Sequence, residues 1–157
     1  MAYVSRGFIP QTSLAANLGF TRPMYIPAGN ATATALYDIV KVSTSGSTVD
    51  TAGVPAGLMG CVRVSDKDDV PCGVIVGFIA DPDYLNQTYR SASTARVALV
   101  NYDPQVVLEA QEDDNGTTLA VARIGTPVDL VPGSIDTVTG TSGMQISSAT
   151  LAGSPGM

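Results

Sequence analysis

Apolar residues in this chain come in short runs separated by turn residues, and no run sustains a helical period. The segment Tyr89-Arg90-Ser91-Ala92-Ser93-Thr94-Ala95-Arg96-Val97-Ala98-Leu99-Val100 opens small and polar and closes apolar. A turn at Asp103-Pro104 follows, and then a second run from Gln105 to Glu112. This spacing predicts two neighbouring strands, with Val97, Leu99, Val107 and Ala110 facing a core. The most apolar segment, Val70 to Ala80, is the expected central strand, and its glycines mark a bulge or a close backbone approach.

Other runs fit the same scheme. Over Ala31 to Val42, alternation puts Tyr37, Ile39 and Lys41 on one strand face and Leu36, Val40 and Val42 on the other. Gly57 to Val64 reads as a strand, Thr117 to Ala122 as a short one after an Asn115-Gly116 turn, and Val138 to Ile146 as a hairpin. Residues 1–29 differ. Prolines 10, 23 and 27 recur without period, and each disfavours helix in the residue before it. An extended arm is expected there, anchored by Phe8, Phe20 and Tyr25, lying on its own domain or wrapping a neighbour. Removing residues 1–25 is then expected to leave a folded domain. The whole reads as all-β: a small β-sandwich or β-barrel over residues 30–150, an extended N-terminal arm over 1–29 and a flexible tail over 151–157.

Composition sharpens this picture. Hydrophobic residues make up 45% of the 157, enough for a core, while charged residues make up 14% against about a quarter in typical domains. Either much of the surface meets other protein, or this is a β domain rich in small residues. The net charge of −6 and the absence of any Lys/Arg run argue against a nucleic-acid partner. No apolar stretch nears the ~20 residues of a membrane span. The first residues lack the apolar region of a signal peptide, so the protein is expected to stay in the compartment where it is made.

The chain holds no histidine, which removes most acid/base and Ser-His-Asp or Cys-His arrangements and makes a zinc site improbable. Cys61 and Cys72 flank a turn at Asp66-Lys67-Asp68-Asp69. A cross-strand disulfide is geometrically open to them; in a reducing cytoplasm two buried, inert thiols are expected. Carboxylates cluster at Asp66, Asp68 and Asp69 and at Glu112, Asp113 and Asp114, without the spacing of a calcium loop, and read as solvated turns. No phosphate-cradling glycine motif is present, and the Asn-x-Thr triplets at 30, 86 and 115 read as chance matches. Thus no catalytic, cofactor-binding or metal site is expected. Arg90 and Arg96, two of only eight basic residues, read either as an inter-subunit clamp or as solvated strand-edge cations.

With these residues in view, the sequence resembles the capsid decoration proteins (cement or head-stabilising proteins) of tailed bacteriophages. The resemblance runs over roughly residues 26–146. It is carried by Ile26-Pro27-Ala28-Gly29-Asn30, Tyr37-Asp38-Ile39-Val40-Lys41-Val42 and Val74-Ile75-Val76-Gly77-Phe78, and above all by Tyr89 to Val97. Asp103-Pro104, Glu109-Ala110-Gln111-Glu112 and Val138-Thr139-Gly140-Thr141-Ser142-Gly143-Met144 add to it. It implies a non-enzymatic virion protein, assembled in the bacterial cytoplasm, that binds the major capsid protein on the outer surface of the head and itself as a dimer or trimer. Phe8, Phe20, Tyr25, Tyr89, Arg90 and Arg96 are the expected interface residues. Two other readings stand beside it: a head-fibre or tail module binding a receptor or carbohydrate, and a small carboxylate-based hydrolase.

Overall fold

The computed structural model describes residues 6–13, 20–47, 54–66, 68–82, 85–114, 119–121 and 124–151. Nine strands are described: β1 (Ile9–Ser13), β2 (Thr21–Ile26), β3 (Ile39–Ser43), β4 (Gly60–Arg63), β5 (Gly73–Phe78), β6 (Arg96–Asn101), β7 (Val106–Glu109), β8 (Val128–Val131) and β9 (Gln145–Leu151). Five of them close into a barrel in the order β2-β4-β3-β5-β6 and back to β2. Of the two all-β architectures the sequence allows, the barrel is the one formed.

Alternation builds the barrel interior. Met24 and Ile26 on β2 and Ala98 and Val100 on β6 point inward, two residues apart, beside Val40, Cys61 and Ile75. The opposite face of the wall is also covered. Ile39, Val64 and Val74 pack outward against Phe8 and Met144, with Leu108, Ala110, Leu130 and Ile146 around them. This second core lies between the barrel and an outer layer made of β1–β7 and β8–β9. The two ribbons meet where residues 111–113, the continuation of β7, run parallel to β9: Asp113 N–H donates to Ile146 O (3.0 Å) and Ile146 N–H to Gln111 O (2.9 Å).

Several expectations need correction. The described part of the expected arm is no appendage: β2 is a barrel strand and β1 belongs to the outer layer. β2 pairs residue by residue with β6, from Thr21↔Asn101 to Ile26↔Arg96, and Phe8 is buried in the second core. Residues 1–5 and 14–19 of the arm lie outside the described residues. The prolines did not forbid strands because each has a free side. Pro10 lies on β1, which pairs only with β7 among the described residues, and Pro23 faces the side of β2 that β4 reaches only at Tyr25↔Gly60. Deleting residues 1–25 would therefore remove a barrel strand, not an appendage.

β6 and β7 are not partners either. Asn101 Oδ1 accepts from Asp103 N–H (3.0 Å), and Asp103 Oδ1 accepts from Gln105 N–H (2.9 Å). These caps turn the chain out of the barrel into the outer layer, where β7 pairs with β1. The strand expected over 31–42 begins only at Ile39, because Tyr37 adopts φ 68°. Its N–H donates to Ile75 O (2.9 Å) and its carbonyl accepts from Phe8 N–H (3.0 Å). Beside it Gly7 has φ 74°, and a Cβ there would lie 2.5 Å from Ser142 Cβ and 2.7 Å from Tyr37 O. Leu119–Val121 is not a strand, and the expected 138–146 hairpin is a tight turn over 136–141 followed by β9.

Candidate functional site

Arg90 and Arg96 are neither solvated nor turned to a partner subunit; both are buried in their own chain. Arg90 is fully buried. Its Nε donates to Thr94 O (2.7 Å), Nη1 to Thr32 O (2.6 Å), and Nη2 to Pro27 O and Asn30 O (both 2.8 Å). One planar fork thus holds the loop after β2 against the turn before β6. Burial pulls the guanidinium down to about 10, still protonated at neutral pH. Arg96 repeats the device on a smaller scale. Nη1 donates to Tyr89 O and Nη2 to Gln87 O (2.9 Å), and the guanidinium lies 4.8 Å from the Phe78 ring centroid.

A second buried charge ties the outer layer to the barrel. Asp38, wholly buried, accepts from Ser142 Oγ (2.6 Å) and Ala35 N–H (2.8 Å). Arg63 Nε lies 2.9 Å from Asp38 Oδ1, without the alignment of a hydrogen bond, and Arg63 Nη2 donates to Gly133 O. Burial raises the Asp38 carboxyl above its ordinary value, and Arg63 pulls it back. Ser142 in turn accepts from Met144 N–H (3.0 Å), which seats Met144 in the second core. Arg63 and Ser142 were not among the expected site residues. Only the folded proximity of residues 104 apart in sequence joins Asp38 to Ser142.

Other described ionisable groups stabilise turns or are simply buried. Lys41 donates to Asp69, whose other oxygen accepts from Ser65 N–H (3.0 Å) and Asp66 N–H (3.1 Å). These contacts hold Asp69 down to about 2. The folded value lies below the ordinary 3.8, so this contribution is present above pH 3.8 and lost as pH falls toward 2. Acid titration followed by amide NMR is expected to show Ser65 and Asp66 shifting together in that window, and Asp69→Asn to remove the step. Cys61 and Cys72 are free thiols in and beside the barrel core. Burial pushes Cys61 up to about 12 and raises Cys72, so neither is an activated nucleophile.

Beside Lys41 and Arg63 opens a groove of about 400 Å³, bounded across from them by Asn30 and Thr32. Arg90 fixes that opposite wall by its hold on the Pro27, Asn30 and Thr32 carbonyls. Among the described residues no three His, Cys, Asp or Glu side chains converge on a metal-sized site, and no helix is long and apolar enough to cross a membrane.

Exposed apolar side chains collect at both ends of β6. At its C-terminal end Tyr102 (42% exposed) stands beside Phe20 (50%), and Val70, which leads toward β5, is also exposed. At its N-terminal end lies Ile79 (40% exposed), whose N–H donates to Val97 O (2.9 Å); Leu85 (75%) and Val138 (89%) are exposed on the segment before Tyr89 and on the 136–141 turn, which meet where Gly140 packs against Thr88. Six strand residues separate the two ends by roughly 20 Å. The edges of the outer layer are blunted. Pro10 and a bulge interrupt β1, and β8 is four residues long, bulged, and flanked by Pro127 and Pro132.

Of the six expected interface residues, Phe20 alone is exposed. Phe8, Arg90 and Arg96 are buried, and Tyr25 and Tyr89 are half-buried. Arg22 and Tyr102 were not expected; the signal for them was an arginine and an aromatic residue each directly preceding a turn or proline, Arg22-Pro23 and Tyr102-Asp103-Pro104. Comparison with protein-family models, with curated proteins and with solved structures finds no match.

Proposed function

We propose that this chain is a non-enzymatic structural protein of a tailed-phage virion, bound to the outside of the icosahedral head, where it bridges neighbouring major capsid subunits. The observation that carries this reading is the pair of exposed apolar ends separated by one rigid barrel strand, Tyr102 with Phe20 at one end and Ile79 at the other. A closed barrel with two contact ends suits a protein that must hold two neighbours at fixed separation. The low charge content and the resemblance over residues 26–146 support the same reading.

The physics is linkage. A protein that binds only the assembled shell stabilises that shell by mass action. Two contacts on one rigid body make the second effectively intramolecular and raise the affinity of the whole. The groove beside Lys41, with Asn30 and Thr32 across from it, favours a second reading, a virion module that binds a carbohydrate or receptor.

Electron microscopy of heads purified with and without the protein tests the first reading. Added protein is expected to appear as regular outer density and to raise the temperature at which packaged DNA is released. Heads with no added density and unchanged heat resistance would refute it, and selective glycan binding by the isolated protein would favour the second reading.

A further inference from the structure

We propose that the Phe20–Arg22–Tyr102 end of the barrel docks a carboxylate-bearing peptide segment of a partner protein. This rests on the bridging function proposed above and assigns the chemistry of one of its two contacts.

The three side chains form a preorganised patch. Phe20 and Tyr102 have ring centroids 6.1 Å apart at a 56° tilt, and Tyr102 N–H donates to Phe20 O (3.1 Å). Arg22 places its guanidinium 5.6 Å from the Tyr102 ring centroid. Its register is set by the Arg22↔Val100 pair, so β2 and β6 fix both sides of the patch.

Charge identifies the occupant. Lys41 and Arg63 face carboxylates, and Arg90 and Arg96 donate to backbone carbonyls. Among the described residues no carboxylate or carbonyl accepts from Arg22, which is held only by the face of Tyr102. Among the described residues Arg6 also has no acceptor, and it has no ring contact there. A positioned, unpaired guanidinium is a fork for one carboxylate. On a protein of net charge −6, an acidic partner is repelled elsewhere and steered to this end. Tyr and Arg beside a second aromatic are also the residue types that dominate binding energy in small contact patches. A second copy of this chain is the poorer occupant, because two-fold pairing of this end brings two copies of the same cationic patch together and adds no carboxylate from it.

The test uses the full chain and two blocked peptides, one alternating glutamate with leucine and one with glutamine replacing glutamate. Amide NMR titration is expected to move signals around Phe20, Arg22 and Tyr102 with the glutamate peptide. Affinity should fall about tenfold for the glutamine peptide and for Arg22→Gln, and should weaken with salt. On heads, Arg22→Glu should lower apparent affinity by about tenfold or more with an unchanged melting temperature. Equal binding of both peptides, shifts elsewhere, or no shift at millimolar peptide overturns the proposal. So does preferential binding of a neutral glucan oligosaccharide at this end, or a dimer in sedimentation that Arg22→Glu abolishes. If wild-type protein fails to decorate heads while the glutamate peptide binds here, the docking chemistry stands and the head function falls. If wild type and Arg22→Glu decorate equally, the head function stands and the docking proposal falls.

Discussion

Arg90→Ala is expected to cost about 3–5 kcal/mol of folding stability, a drop of about 10 °C in Tm for a chain this size. The side chain is fully buried and large, so truncation leaves a cavity. The carbonyls of Pro27, Asn30, Thr32 and Thr94 also lose its hydrogen bonds. Arg90→Lys should stay well short of wild type, because one ammonium cannot reach acceptors set out for a planar fork. Thermal and urea denaturation of the three proteins measure this. The loss should be accompanied by faster hydrogen exchange at Thr34 N–H, which bonds Arg90 O (2.9 Å), and at Ser93 N–H, which bonds Asn30 O (2.9 Å). A cost below about 1 kcal/mol would mean that the loop holds itself and the arginine is incidental.

The same residue shows what sequence can and cannot disclose. Two-residue alternation is local, so the Arg96–Val100 and Gly73–Phe78 runs were legible as strand, although Ala98 and Val100 fill the barrel where Val97 and Leu99 were expected to, and β2 was read as part of an arm. The turn over Asp66–Asp69 was legible too, from its aspartates, and Asp69 N–H does bond Asp66 O (3.2 Å). Arg90 was recognised as unusual, but its acceptors lie up to 63 residues away, on a loop whose path no local pattern fixes. The sequence therefore offered an exposed or intersubunit arginine, when the chain itself supplies every acceptor. Prolines 10 and 23 misled for a related reason. A missing N–H excludes a residue only from a strand paired on both sides, and the number of neighbours a strand has is a property of topology. Asp103 was read as a turn former, while Asn101 was not; that their caps send β7 to another layer, and not back along β6, follows from where β1 waits to pair with it.

The second large effect is expected at Asp38, where the outer layer is joined to the barrel. Asp38→Ala leaves Arg63, whose side chain is 9% exposed, without its counter-ion, and leaves Ser142 Oγ and Ala35 N–H without their acceptor. Breaking one half of a buried ion pair costs about 3–5 kcal/mol, so the variant should unfold well below wild type. Replacing both partners is different. The double variant Asp38→Leu/Arg63→Met removes the stranded charge and should recover much of the loss, giving a coupling energy of about 1–3 kcal/mol in the cycle. Asp38→Asn should fall between, because Ser142 Oγ donates to Oδ1 and Ala35 N–H to Oδ2, so the one amide oxygen keeps only one of these two bonds while the charge is gone. The pH dependence separates this site from the Asp69 turn. Burial raises the Asp38 value above 3.8, so the native state binds the proton more tightly than the unfolded chain does. Asp38 thus favours the fold below pH 3.8, and that advantage is lost as pH rises through the raised value. Asp69 acts in the opposite sense and below 3.8. Stability measured from pH 2 upward should rise through the Asp69 window in both proteins. Above 3.8 the wild type should fall relative to Asp38→Asn, and parallel curves there would show that Asp38 titrates as an ordinary surface carboxylate.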